Sequence, residues 1–265
     1  PIPDELAARA EVRRQALADG TANREAAKPF PAVFQETESM GWIPEGWEAK
    51  PFGDLLENTI GGDWGKEAED EKHTFRSVII RGTDMPHILA GNRSSAPERW
   101  VEPKKFATRE LQDSDIVIEI SGGSPTQSTG RSLFITDNII ERLGGSVEPA
   151  SFCRRFRPLN KFYGLYGGLH LAAIYGEGKM WEYQNQSTGI SNFQTTSFLE
   201  REFVAIPAGS ALMEIFYDKA RPLLDKMTGN QNEKLAKLRD TLLPKLISGE
   251  LRIPEAEQLT KEALA

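Results

Sequence analysis

The chain has 265 residues, enough for one sizeable domain with an appendage or for two small domains. Hydrophobic residues make up 39% and charged residues 27%, the net charge is −7, and no apolar run reaches the length of a membrane span. Cys153 is the only cysteine, which excludes an internal disulfide and indicates a reducing, cytoplasmic setting.

The charge is unevenly distributed along the chain. Residues 1–71 contain 16 acidic and 7 basic residues, and residues 110–149 contain seven acidic and two basic residues. By contrast, residues 72–109 contain eight basic and three acidic residues, and residues 150–168 contain four basic residues and no acidic one. Two basic segments in an acidic chain are typical of a protein with one positive face for nucleic acid. Chance clustering on solvated strands is the alternative.

The predicted elements begin with a helix over residues 4–18, followed by a loop-like segment over 20–46 that three prolines interrupt. We interpret residues 1–40 as a connector with a short helix. A helix is predicted over 161–175, with Asn160 at its N-cap. Strand-like runs occur at 76–81, 115–120, 132–136, 151–157 and 202–206.

Strands and helices do not alternate regularly in this part of the chain, which argues against a doubly wound parallel sheet. The pattern favours an α+β fold over residues 41–208, with a twisted mixed β-sheet and few helices.

The last part of the chain has one apolar seam. Between residues 210 and 246 apolar side chains recur mostly at spacings of three and four, which predicts a long coiled-coil-type helix over 209–250 and a tail over 251–265. Gln231 falls in this seam where four-residue spacings accumulate, and such a stutter locally unwinds a coiled coil. Because one seam cannot bury itself, we expect it to pair with another long helix; folding back on the globular domain is the alternative. The residues predicted to pair are Phe216, Leu223, Met227, Leu235, Leu238 and Leu242.

The sequence contains no recognisable catalytic signature. It has three histidines, and no H-E-x-x-H or C-x-x-C spacing. The segment 61–66 is too short for a phosphate loop, and Glu67 stands where Ser or Thr would bind Mg²⁺. There is no N-P-P-[FY] tetrapeptide of the kind that amino-methyltransferases use. We therefore expect no catalytic residue, no metal and no cofactor on this chain.

Two polar loops are candidates for DNA contact. Residues 121–131 (SGGSPTQSTGR) combine hydroxyl groups, which bind phosphates, with Gln127 and Arg131, which suit adenine and guanine in the major groove. Residues 185–192 (NQSTGISN) follow the predicted helix. Because Ser, Gly, Asn and Thr are also ordinary turn residues, plain surface loops are the alternative.

The C-terminal run 235–252 (LAKLRDTLLPKLISGELR) closely resembles the distal conserved region of type I restriction–modification specificity subunits, where a similar segment ends a long spacer helix. Residues 42–47 (WIPEGW) look like the start of a target recognition domain of that family, and residues 115–134 are similar to its glycine loop. Residues 187–190 and 203–207 look like its end. The resemblance covers about residues 42–252.

The resemblance implies a non-catalytic subunit that reads double-stranded DNA. Full subunits of this family have two recognition domains, each reading half of a bipartite target, and two antiparallel helices hold them apart. They serve methyltransferase subunits that use S-adenosylmethionine and a restriction subunit that uses ATP and Mg²⁺. Because this chain has one such domain and one long helix, it is either part of a larger subunit or a half-size subunit that pairs with a second copy.

By analogy with the family, we expect phosphate contacts from Lys66, Arg81, Arg93, Arg154 and Arg155. We expect contacts to bases or backbone from Ser121, Ser124, Thr126, Gln127, Thr129, Arg131, Gln186, Ser187 and Thr188. Neighbouring residues on a strand point to opposite faces, so at most one of Arg154 and Arg155 is expected to face DNA. Two other functions remain open: a protein-interaction adaptor built on the long helix, and the specificity half of a fused methyltransferase–nuclease.

Overall fold

The computed structural model describes residues 2–92, 95–124, 126–187, 190–229 and 231–264. The strands are β1 (Phe34–Thr37), β2 (Gly41–Pro44), β3 (Glu48–Pro51), β4 (Leu56–Gly61), β5 (Phe75–Ile80), β6 (Glu98–Val101), β7 (Ile116–Glu119), β8 (Ser121–Gly122), β9 (Ser132–Phe134), β10 (Val147–Pro149), β11 (Cys153–Pro158), β12 (Gln184–Ser187), β13 (Ile190–Phe193) and β14 (Phe203–Ile206).

The helices are α1 (Asp4–Ala18), α2 (Arg24–Ala27), α3 (Met85–Leu89), α4 (Pro103–Arg109), α5 (Asp137–Arg142), α6 (Lys161–Gly176), α7 (Thr195–Arg201), α8 (Ala211–Thr228), α9 (Gln231–Ile247) and α10 (Ile253–Leu264). Short 3-10 helices cover Phe52–Leu55 and Lys179–Tyr183. None of the described helices combines the length and the apolar composition needed to cross a bilayer.

The predicted α+β class is confirmed, as are its five strand-like runs, which correspond to β5, β7, β9, β11 and β14. The helix predicted over 161–175 is α6, and the Asn160 side chain caps it by accepting a hydrogen bond from the Tyr163 amide at 3.0 Å.

The segment 20–46, predicted as a loop, instead contains α2 and the antiparallel hairpin of β1 and β2. Its prolines precede β1 or lie at the end of β2, so they do not interrupt the pairing. The boundary predicted between residues 40 and 41 falls at the turn of this hairpin.

An antiparallel sheet in the order β4–β11–β7–β9 forms the middle layer of the domain. Because side chains alternate between faces along a strand, it buries apolar residues on both sides. One face contributes Ile116, Ile118, Phe134 and Phe156 to the first core cluster. The other face contributes Val117, Leu133 and Cys153 to the second core cluster.

Helix α6 covers the first face at close range. A Cβ atom at Gly167 would lie 3.2 Å from the Phe52 ring, and one at Gly168 would lie 3.0 Å from the Phe134 Cβ atom. The glycines therefore let the helix backbone approach the sheet. On the second face, the mixed sheet β10–β5–β6, in which β10 is parallel and β6 antiparallel to β5, belongs to the second core cluster with parts of α3, α4 and α5.

The long C-terminal helix predicted over 209–250 is interrupted at Gly229. Gly229 has φ −69° and ψ 176°, which end α8, and α9 begins at Gln231. Glycine is a poor helix former, so a break here costs little. The segment 251–265, predicted as a tail, contains α10, which packs against α9.

Helix α8 lies partly on the globular domain, because Tyr217, Ala220 and Leu224 pack against the first core cluster. The Arg221 guanidinium reinforces this contact through Asp113 Oδ1 at 2.5 Å. Of the residues predicted to pair, Phe216, Leu223 and Met227 are exposed, Leu238 is half-buried and Leu242 is buried; the Leu235 side chain lies outside the described residues. An apolar seam therefore remains exposed along α8.

Candidate nucleic-acid interface

The two polar loops predicted from the sequence come together in one small sheet, β12–β13–β8. Ser121 and Gly122 of β8 pair with Asn192 and Ser191 of β13, and the Ser121 hydroxyl donates to Asn192 Oδ1 at 3.0 Å. These partners are 71 positions apart in the chain. The two loops therefore form a single surface at one end of the middle sheet.

The tip of the first loop is a tight turn. The Ser124 amide donates to the Gln127 carbonyl at 2.8 Å, and the Gln127 amide donates back at 3.2 Å. Gly123 has φ +77°, and a Cβ there would lie 2.8 Å from the Gln127 carbonyl oxygen, so the turn requires glycine. Gln127 Nε2 donates to the Tyr175 hydroxyl at 3.1 Å, whereas Ser124 and Thr126 are exposed.

The burial of Thr129 and Arg155 corrects two of the predicted DNA contacts. Thr129 is completely buried, and its amide and hydroxyl both donate to Gln184 Oε1, at 3.1 and 3.3 Å. Arg155 is 3% exposed and donates to the Glu110 carbonyl and to Asn58 Oδ1. Both side chains hold the domain together and do not reach its surface.

Arg154 and Arg155 point to opposite faces of β11, as expected. Arg154 is half-buried and donates to the Thr59 hydroxyl at 2.7 Å. Its register partner on β7 is Ile118, which belongs to the first core cluster, whereas Arg155 pairs with Val117 of the second. Arg154 is thus the one of the pair with access to solvent.

The other residues predicted to contact phosphate differ in whether their charge is paired with an acidic residue of the chain. Lys66 is exposed, and no ion pair links it to another described residue. Arg81 pairs with Asp84 at 2.8 Å; that hydrogen bond raises the pKa of Arg81. Burial acts to raise the pKa of Asp84, but its hydrogen bonds with Arg81 outweigh burial and lower it. Arg81 is therefore largely neutralised by its own neighbour.

The remaining predicted contacts are only partly described. Arg131 is half-buried, and its Nη1 donates to the Gly82 carbonyl at 2.7 Å. Arg93 and Thr188 lie outside the described residues. Gln186 and Ser187 lie on β12, but their side chains fall outside the described part of the chain. For these residues the DNA contacts stay predictions.

A pocket of about 530 Å³ opens beside the glycine loop. Trp64 and Phe152, both exposed, contribute aromatic rings to it, and Arg81 and Ser121 from the predicted contacts also line it. The Glu119 carboxylate lines the same pocket and is largely buried. No sequence motif indicates this pocket, because its residues come from four separate segments of the chain.

Glu119 and Arg81 are the charged side chains that line the pocket. Burial raises the pKa of Glu119, and the charge of Arg131 acts against that rise. Glu119 Oε2 has no hydrogen-bond partner among the described residues. Burial also raises the pKa of the neighbouring Cys153 thiol to about 12, so this thiol is protonated and unreactive at neutral pH.

Both oxygens of a second buried carboxylate, Glu202, have hydrogen-bond partners. One partner is His170, so one of the three histidines has a structural role. The Glu202 oxygens lie 2.8 Å from His170 Nε2, 2.8 Å from Lys179 Nζ and 2.7 Å from the Tyr183 hydroxyl. Burial acts to raise the pKa of Glu202, but these hydrogen bonds hold it at about 2. The group joins α6 to the segment before β14, and its role is structural. No cluster of His, Cys, Asp and Glu suited to a metal ion occurs among the described residues.

Together these features define an α+β domain with two joined polar loops at one end and a helical segment at its C-terminus. Sequence comparison relates it to a known class. The chain is 26% identical over 217 residues to the specificity subunit of the type I restriction enzyme MjaIX of Methanocaldococcus jannaschii, covering 80% of this chain and 46% of that protein. It is 23% identical over 267 residues to the HindI specificity subunit of Haemophilus influenzae, covering 94% and 51%.

The resemblance inferred from the C-terminal run is thereby confirmed: the chain is similar to type I restriction enzyme specificity subunits over most of its length. It spans about half the length of the curated relatives it matches. No family model matches the chain.

Superpositions on solved structures are partial. The HsdS subunit from Thermoanaerobacter tengcongensis superimposes with a TM-score of 0.41 and 13% identity, over 94% of this chain and 55% of that one. The specificity subunit from M. genitalium gives a TM-score of 0.38 and 10% identity, over 73% and 41%. The relationship therefore rests on the sequence matches.

Proposed function

We propose that this chain is the DNA sequence-recognition part of a type I restriction–modification enzyme. In this proposal, residues 41–208 read one half of a bipartite target. The sequence match to two specificity subunits, which extends over 80% and 94% of the chain, carries the proposal. The joined polar loops support it, because Ser124 and Thr126 are exposed at the turn and Ser121 is fixed next to them.

The chain itself contributes recognition and no chemistry. Its single thiol is buried and protonated, and His170 is engaged by Glu202. S-adenosylmethionine, ATP and Mg²⁺ are then bound by the methyltransferase and restriction subunits with which the chain assembles.

The C-terminal helices provide the surface for assembly. Leu223 is 70% exposed on α8, and Phe216 and Met227 are exposed on the same helix. Apolar side chains in such a seam are stabilised by a second helix. We propose that this helix comes either from the other half of a full-length subunit or from a second copy of the chain.

The test is selection of DNA by the purified chain. A pool of duplexes with randomised sequence is bound at several salt concentrations, and the bound fraction is sequenced. We expect a short enriched motif and an affinity that falls with salt, since each phosphate contact contributes about −0.9 to the logarithmic slope. Binding without any enriched motif, or no binding at low salt, contradicts sequence recognition and favours an adaptor.

A matched pair of variants locates the interface. Lys66→Gln is expected to weaken binding to all sequences equally and to reduce the salt slope by about one. Lys261→Gln removes the same charge from an exposed position on α10 and is expected to leave both quantities unchanged. Equal effects of the two substitutions would contradict a phosphate contact from Lys66.

A further inference from the structure

We propose that the pocket beside the glycine loop holds a single unstacked nucleobase that carries an exocyclic amino group. This inference rests on the proposed DNA-binding function and adds a second recognition mode to it. Trp64 and Phe152 would stack on the base, and Glu119 would accept hydrogen bonds from its amino group.

The two aromatic side chains of the pocket are exposed to solvent and are not packed into the core. Phe152 is 65% exposed and Trp64 is 38% exposed, yet both line the same pocket. The Arg99 guanidinium lies 4.8 Å from the Trp64 ring centroid and so covers part of that ring. Exposed aromatic rings of this kind bind unstacked bases of any sequence, because every base has a π face.

Phe152 is also fixed to the proposed DNA-reading surface. Its carbonyl accepts hydrogen bonds from the amides of Ile120 and Ser121, at 2.8 and 3.3 Å. Ser121 is the first residue of the polar loop 121–131, and Ile120 directly precedes it. A base stacked on Phe152 would therefore lie directly beside the side chains that are proposed to contact the duplex.

The chemistry of the pocket interior selects for a hydrogen-bond donor. Glu119 supplies acceptor oxygens, is only 8% exposed, and its Oε2 atom lacks a partner among the described residues. A buried acceptor without a donor is costly, so a ligand N–H group would stabilise it. Adenine, cytosine and guanine each present an amino group, whereas thymine has none.

The backbone around Glu119 is shaped to leave the carboxylate free. A Cβ at Gly82 would lie 2.1 Å from Glu119 Oε1, and one at Gly122 would lie 3.0 Å from it. Any side chain at position 82 would therefore displace the carboxylate. The pocket volume of about 530 Å³ is within the range of small-molecule sites and accommodates a base with its sugar.

A base that is stacked in a duplex cannot enter such a pocket, because its faces are covered by its neighbours. Entry requires the base to leave the stack, which costs least for an unpaired base. Duplexes with a single bulged nucleotide are therefore the appropriate probes. We choose four duplexes with identical arms: one without a bulge, and three with a bulged cytosine, adenine or thymine.

The experiment measures the affinity of the full chain for these four duplexes by fluorescence anisotropy at fixed salt. The wild-type chain is expected to bind the cytosine and adenine bulges about tenfold more tightly than the thymine bulge. Glu119→Gln is expected to reduce this preference to below about threefold. Phe152→Ala is expected to weaken binding to all three bulged duplexes and to leave the duplex without a bulge unchanged.

Trp181→Ala serves as the control, because Trp181 is a 42% exposed aromatic residue that does not line the pocket. Thermal unfolding of each variant shows that it is folded; Phe152 is exposed, so its replacement is tolerated even if that of Glu119 is not. Equal affinity of the wild type for all bulges, or an amino preference that survives in Glu119→Gln, overturns the proposal.

The outcomes also separate this inference from the proposed function. If the duplex without a bulge binds in a salt-dependent manner and bulges add no affinity, the pocket proposal is overturned and DNA recognition stands. If no duplex binds at all, both are overturned.

Discussion

We expect Glu148 on β10 to make the stability of the fold depend on pH. It is fully buried, and neither of its carboxylate oxygens has a hydrogen-bond partner among the described residues. Its pKa is raised from 4.5 to about 7: burial is the main cause, the charge of Asp63 acts in the same direction, and the charges of Arg109 and Lys105 oppose the rise. A shift of this size corresponds to about 3 kcal/mol at 1.36 kcal/mol per pKa unit.

The direction of this pH dependence follows from the number of protons that the folded and unfolded chains bind. Between pH 4.5 and 7 the folded chain keeps a proton on Glu148 that the unfolded chain has lost. The free energy of unfolding therefore falls as the pH rises through this window, and above it the loss is complete, at about 3 kcal/mol. Glu148→Gln keeps the shape of the side chain but cannot ionise. The unfolding free energy of this variant therefore does not undergo the loss that ionisation of Glu148 causes in the wild type.

We expect Glu148→Gln to match the wild type near pH 4.5 and to be more stable by up to about 3 kcal/mol at pH 8. Urea unfolding curves at pH 4.5, 6, 7 and 8 measure this difference. Glu141→Gln, at an exposed position on α5, is the control and should follow the wild type. A Glu148→Gln variant whose stability falls with pH in parallel with the wild type would refute the reasoning.

Two further substitutions test the packing of α6 and the seam on α8. Gly168→Ala is expected to cost about 1–3 kcal/mol of unfolding free energy, because its Cβ would lie 3.0 Å from the Phe134 Cβ. Gly176→Ala meets no atom within 4 Å and should not destabilise; similar losses in both would contradict the close approach. If the partner of α8 is a second copy of the chain, Leu223→Glu should weaken self-association at least tenfold in sedimentation velocity, and Val12→Glu, at a 71% exposed position, should leave it unchanged. Equal effects of both glutamates would argue against pairing through α8.

The fold was predictable where local pattern and final packing agree. Strand-like runs marked β7 and β11, and Asn160 marked the start of α6. The hairpin of β1 and β2 was missed because its flanking prolines read as a loop. The break at Gly229 was not predicted because the apolar spacing continues across it. Glycine lowers the stability of a helix, but whether the helix breaks there depends on the tertiary contacts that hold it straight.

The candidate site was predictable only in part, since composition does not report where a polar residue points. Thr126 and Thr129 look equivalent in the sequence, yet one is exposed and the other is buried against Gln184. The pairing of β8 with β13 is non-local, so neither loop indicates the other. The pocket around Glu119 depends on contacts between distant segments in the same way.

The pairing of Ser121 with Asn192 has a consequence for engineering new target preferences. Because the two loops share one small sheet, replacing either segment alone would disturb the position of the other. Exchange of specificity between related chains should therefore succeed when both segments are transplanted as a unit, and single-loop chimeras should lose discrimination before they acquire a new one.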